Sequence, residues 1–82
     1  MALNFNTVAL KNDTMLAIKV TADNIQELSE SLNGTLENDI MTFKISNHEH
    51  IVLIGDWLVL FDRGRDILRF TDKMFQRLFK SV

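Results

Sequence analysis

Hydrophobic and polar positions along this 82-residue chain fall into short blocks whose period changes several times. The densest block is Ile51 to Phe61, IVLIGDWLVLF, with nine apolar residues in eleven and a break at Gly55-Asp56. Two short apolar runs around a Gly-Asp break read as two buried strands joined by a bend or bulge. They are expected to form the floor of the core. A membrane span would need about twenty apolar residues, and Asp56 and Asp62 sit too close for that.

Upstream, Leu3 to Leu10 alternates weakly and is expected to be an edge strand. Lys11-Asn12-Asp13 is turn chemistry, and Met15 to Val20 follows as the second strand of a hairpin. Thr21 to Asn24 starts a helix. Asp23 with Gln26 is a capping-box pattern, and Thr21 with Asn24 is a weaker alternative. Ile25, Leu28 and Leu32 form a narrow apolar stripe, with Asp23, Glu27 and Glu30 on the opposite face. Gly34, after Asn33, is expected to stop the helix in the left-handed conformation.

Thr35 to Asp39 reads as a connection with room for a short strand, and Ile40 to Ile45 then alternates. Met41, Phe43 and Ile45 fall on one face, Ile40, Thr42 and Lys44 on the other, as in a half-buried strand. Ser46 to Glu49 is a polar turn, with the chain re-entering strand at His50. After Phe61, Asp62 to Arg65 turns again and Asp66 to Phe70 makes one more strand. Thr71 can cap a closing helix of about ten residues, too short to stand alone. Its Met74, Phe75, Leu78 and Phe79 span roughly 140° and must dock on the sheet, with Lys73, Arg77 and Lys80 opposite. The fold expected is α+β, a single domain over residues 1–82, with an antiparallel sheet of about five strands covered by two helices.

The totals narrow the class. A chain this short buries about 60–65% of the surface it exposes unfolded, so stability should be modest. With no cysteine, neither a disulfide framework nor a thiolate metal site can support it, and the 46% apolar content must do so. The first ten residues lack the basic start and apolar run of a secretory leader, and none is expected. Net charge is −2, too small to demand a nucleic-acid partner. It is unevenly spread: residues 1–41 hold two lysines against six acids, residues 42–82 seven basic residues against five acids. Two solvated helix faces of opposite sign account for that asymmetry.

Candidate chemistry is sparse. His48 and His50 could share a strand face, but two imidazoles without further ligands make no metal site, and turn histidines are the better reading. Asp56 and Asp62 lie at strand ends, where a carboxylate caps or stays in solvent. No nucleophile elbow accompanies the serines, and three scattered glycines cannot cradle a phosphate. Neither an enzyme nor a cofactor is expected. Trp57, Val59 and Phe61 share a strand face, and Trp57, Phe75 and Phe79 are taken as core anchors. The alternative for Trp57 is an exposed contact residue, since tryptophan is a common hot spot. Arg63, Arg65 and Arg69 with Lys73, Arg77 and Lys80 form a candidate phosphate-contacting surface, and Asp23, Glu27 and Glu30 a candidate acidic one.

The order of features resembles a family of short proteins from tailed phages and prophages. AIKVT, DNIQELSESLNG, MTFKIS, IGDWLV and MFQRLF carry the resemblance, over about Met15 to Phe79. Its sharpest parts are Gly55-Asp56-Trp57 with Leu58-Val59, and Phe75 with Phe79. The chain departs from the pattern in the segment Leu3 to Leu10 and in the basic stretch Arg63 to Arg69. No site residue is carried over. The resemblance implies a phage accessory protein that binds and inhibits or remodels a host protein in the host cytoplasm. A nucleic-acid-binding regulator using the basic face is the alternative, and a homo-oligomeric structural component, such as a homodimer, the third reading.

Overall fold

The computed structural model describes residues 3–10, 13–45, 47–61 and 66–81. In chain order the elements are β1 (Asn6–Leu10), β2 (Asp13–Lys19), α1 (Ile25–Ser31), β3 (Thr35–Glu37), β4 (Ile40–Ile45), β5 (His48–Leu53), β6 (Trp57–Phe61), β7 (Asp66–Phe70), α2 (Asp72–Leu78) and β8 (Lys80–Ser81). The α+β class, the antiparallel pairing and the two helices agree with the sequence reading. The single five-stranded sheet does not. The described residues form two sheets: β7-β6-β2-β1, extended at its β1 edge by the two-residue β8, and a separate β3-β4-β5.

The split follows from one turn. β4 pairs antiparallel with β5 from Ile45↔His48 to Ile40↔Leu53, and β6 pairs with β2 and β7. Between β5 and β6, Gly55 adopts φ 100° and the chain leaves one sheet for the other. The Gly55 N–H donates to the Val20 carbonyl and the Val20 N–H to the Asp56 carbonyl, both at 2.8 Å. The Asp56 side chain, nearly buried, accepts from the Leu53 N–H at 3.0 Å and from Arg69 at 3.2 Å. A carboxylate at this corner thus satisfies a backbone donor released by the sheet switch.

Two cores result. Between the sheets lie Ile18, Val20, Leu58 and Ile67 from the larger sheet, Met41, Phe43 and Val52 from the smaller, and Ile25 and Leu28 from α1. On the other face of the larger sheet, Val8, Ala17 and Val59 pack against Phe75 and Phe79 of the α2 segment. The larger sheet is therefore the middle layer, and alternation along β2 and β6 sends successive side chains into different cores.

Several local expectations change. The Asp23–Gln26 box does not form. Thr21 and Asn24 close reciprocal bonds instead, Thr21 N–H to Asn24 Oδ1 at 2.8 Å and Asn24 N–H to Thr21 Oγ1 at 3.3 Å, while Asp23 stays exposed. After α1 it is Asn33, at φ 55°, that is left-handed. Gly34 is required for a different reason: a Cβ there would stand 2.5 Å from the Thr42 carbonyl oxygen. The short strand allowed after Thr35 is β3, joined to β4 through Asn38 and Asp39, both at positive φ as in a type I′ hairpin. His48 and Glu49 belong to β5 rather than to the turn, which Asn47 makes at φ 68°. β1 is shorter than Leu3 to Leu10 and is not a bare edge, since Val8 and Ala9 pair with Ser81 and Lys80. The turns at Lys11-Asn12, Ser46 and Asp62 to Arg65 lie outside the described residues.

The closing helix is also shorter than expected. Thr71 does cap it, accepting from the Met74 N–H at 3.3 Å, but Phe79 is already extended. Only Phe75 and Phe79 of the apolar arc are buried. Met74 and Leu78 are exposed, because a helix ending at residue 78 meets the sheet along a narrow line.

Candidate binding surfaces

Asp23 and Glu30 are exposed and Glu27 half-buried; with Gln26 they line one shallow groove along the outer side of α1. The 3.6-residue period collects them, since the opposite stripe is committed to the core between the sheets.

The basic set is not brought together. Lys73 and Arg77 are exposed on α2, and Lys80 is exposed on β8. Arg69 pairs across the ladder with Leu58, so it stands on the face of the larger sheet opposite α2. Its guanidinium is held by Asp56 at 3.2 Å. Arg63 and Arg65 lie outside the described residues.

Trp57 is half-buried rather than deep in the core. It stacks on Phe75 with parallel rings 3.8 Å apart, and Phe79 continues the cluster, stacked on Phe75 and edge-on to Phe70. Its indole N–H donates to Asp72 Oδ1 at 2.8 Å, and Lys19 Nζ lies 3.7 Å from the same oxygen. The bond from Trp57, then that from Gln76, hold the Asp72 carboxyl below its ordinary pKa; the Lys19 charge adds to this and desolvation opposes it. The indole is thus bound to its own fold on one ring face and at its polar tip.

His48 and His50 point to the same side of β5, and His50 stacks on Phe43 at 5.1 Å. With Asp66, Ile45, Phe61, Ile67 and Leu68 they line a cleft of about 330 Å³ between the open ends of the two sheets. Among the described residues, no group of three or more His, Asp or Glu side chains is placed to hold a metal ion.

The surface that the sequence reading missed is the outer face of the smaller sheet. Met41, Phe43 and Val52 alternate inward, so Ile40, Thr42 and Lys44 of β4 and Glu49, Ile51 and Leu53 of β5 alternate outward. Ile40 is 41% exposed, Ile51 55% and Leu53 48%, with Ile54 of the adjoining turn at 43%. The signal was the period-two pattern Glu49, Ile51, Leu53, which the apolar density of Ile51 to Ile54 obscured. Among the described residues, no helix is long and apolar enough to cross a membrane. No family model, curated protein or solved structure matches this chain.

Proposed function

We propose that the chain acts by binding protein rather than by catalysis, as a small phage accessory protein that engages a host protein in the host cytoplasm. The observation that carries the binding reading is the outer face of β4 and β5. Ile40, Ile51, Leu53 and Ile54 lie open to water at adjoining positions, rimmed by Lys44 and Glu49. Contiguous apolar surface with a charged rim is the composition of a protein contact. The phage setting follows the resemblance in strand order and the GDW turn. The acidic groove of α1 offers a second, steering element toward a basic target surface. Protein is preferred to nucleic acid because Arg69 is spent on Asp56 and stands on the sheet face opposite Lys73 and Arg77.

Capture from host lysate tests this. The wild-type chain should retain a host protein at raised salt, Ile51→Lys should lose it, and reversal of Asp23, Glu27 and Glu30 should slow its capture. Retention at wild-type strength by both variants would exclude these surfaces. Capture that fades steeply with salt would instead indicate phosphate-driven binding.

A further inference from the structure

We infer that the outer face of the smaller sheet is seated against the same face of a second copy of this chain. The inference rests on the reading of that face as a protein contact: at high concentration a second copy occupies it in competition with the host protein. The support is the pattern of cross-strand pairs. Outward on β4 stand Ile40, Thr42 and Lys44; directly opposite them on β5 stand Leu53, Ile51 and Glu49. Each row therefore joins apolar to apolar, hydroxyl to apolar, or cation to anion.

Such a face is complementary to itself about one particular axis. A two-fold axis lying in the interface, parallel to the strands and midway between β4 and β5, lays β4 of each copy over β5 of the other. Ile40 then meets the partner's Leu53, Thr42 the partner's Ile51, and Lys44 the partner's Glu49, with every contact made twice. An isologous interface requires this self-complementarity. The aligned stacking is also how sheets ordinarily pack face to face, about 10 Å apart and about 30° from parallel. Glu37, opposite Ile40 on β3, falls outside the overlap and stays in solvent. The acidic groove of α1 is not part of the overlapped face, so the pair would present it twice. The two overlapping strands, about 4.8 Å apart and about 20 Å long, cover roughly 200 Å². That is below the roughly 800 Å² per partner of a standard interface, so the association is weak and belongs at high concentration.

Sedimentation equilibrium of the purified chain between about 10 μM and 1 mM, a range that brackets weak association, is the test. The mass should rise from 9.5 kDa toward twice that value. Lys44→Glu alone, and Glu49→Lys alone, each set two like-charge contacts across the axis and should remain monomeric. Their equimolar mixture should associate, because a mixed pair restores both opposite-charge contacts while the cross-strand pair inside each copy is unchanged. Melting curves at dilution confirm that each variant is folded, and Leu53→Lys provides an independent block. A wild-type chain monomeric throughout overturns the inference, as does a dimer whose mixed variants fail to associate. If the wild-type chain stays monomeric while Ile51→Lys abolishes host capture, the contact face stands and the second copy falls. If Ile51→Lys changes neither mass nor capture, both fall.

Discussion

The apolar end of β5, residues 51–53, and the strand β6 are joined by a single turn, yet they occupy opposite situations. β6 lies between β2 and β7, with Leu58 in the core between the sheets and Val59 in the core under α2. β5 is an edge strand of the smaller sheet, with Val52 inward and Ile51 and Leu53 in water. Leu53 and Leu58 are the same residue type, so side-chain identity does not explain the difference. What differs is the number of layers stacked on each: β6 has one on either face, β5 only one. An apolar residue is therefore a stability residue in β6 and an available contact in β5.

The largest expected effect comes from removing one of the layers over β6. A chain ending at Phe70 loses Phe75 and Phe79 and bares Val8, Ala17 and Val59. It should not melt cooperatively, whereas a sharp transition would show α2 to be an appendage. Next, Leu58→Ala in β6, 1% exposed, should cost about 3 kcal/mol, while Leu53→Ala in β5 should stay within about 0.5 kcal/mol. Equal losses in chemical denaturation would erase the contrast between the strands.

The corner between them comes third. Asp56→Ala leaves the Leu53 N–H without its side-chain acceptor and frees Arg69, at an expected cost of about 2 kcal/mol. Asp56→Asn retains an acceptor and should recover part of it. A denaturation midpoint unmoved in Asp56→Ala would show that the backbone bonds to Val20 suffice to hold the switch.

The smallest effect is a pH response at the rim of the α2 layer. The folded pKa of Asp72 lies below its unfolded value, so its stabilising contribution is present above the ordinary carboxylate value of 3.8 and is lost as pH falls through the folded value. Trp57→Phe retains the stack on Phe75 but removes the indole donor, the largest cause of the shift. An NMR titration should show the Asp72 pKa rising toward its ordinary value in that variant, with a shallower acid loss of stability. An unchanged titration would mean that Gln76 and Lys19 suffice.

Much of the element order was legible because it depends on local chemistry. The Thr71 cap, the helical stripe of Ile25, Leu28 and Leu32, the alternation of β4 and the break at Gly55-Asp56 each rest on interactions within a few residues. Even the Thr21–Asn24 cap was visible as an option, though Asp23–Gln26 read as the stronger pattern. The candidate surfaces were less legible. In sequence Arg69 extends the basic arc of α2, but its partner Asp56 is thirteen residues away. Trp57 reads in sequence as core or as contact residue, and its partners Asp72 and Phe75 belong to another element.

By itself the sequence determined most of the segments that become strand or helix, β8 excepted, and which face of α1 and of β4 is apolar, because rotamer, capping and turn preferences act between neighbours. Tertiary structure alone decided that the strands divide into two sheets, that Gly34 must lack a side chain to let Thr42 approach, and that Ile51 and Leu53 face water. Those outcomes depend on which distant surfaces come to rest against each strand. Burial is a property of that arrangement, and residue type alone does not separate Leu53 from Leu58.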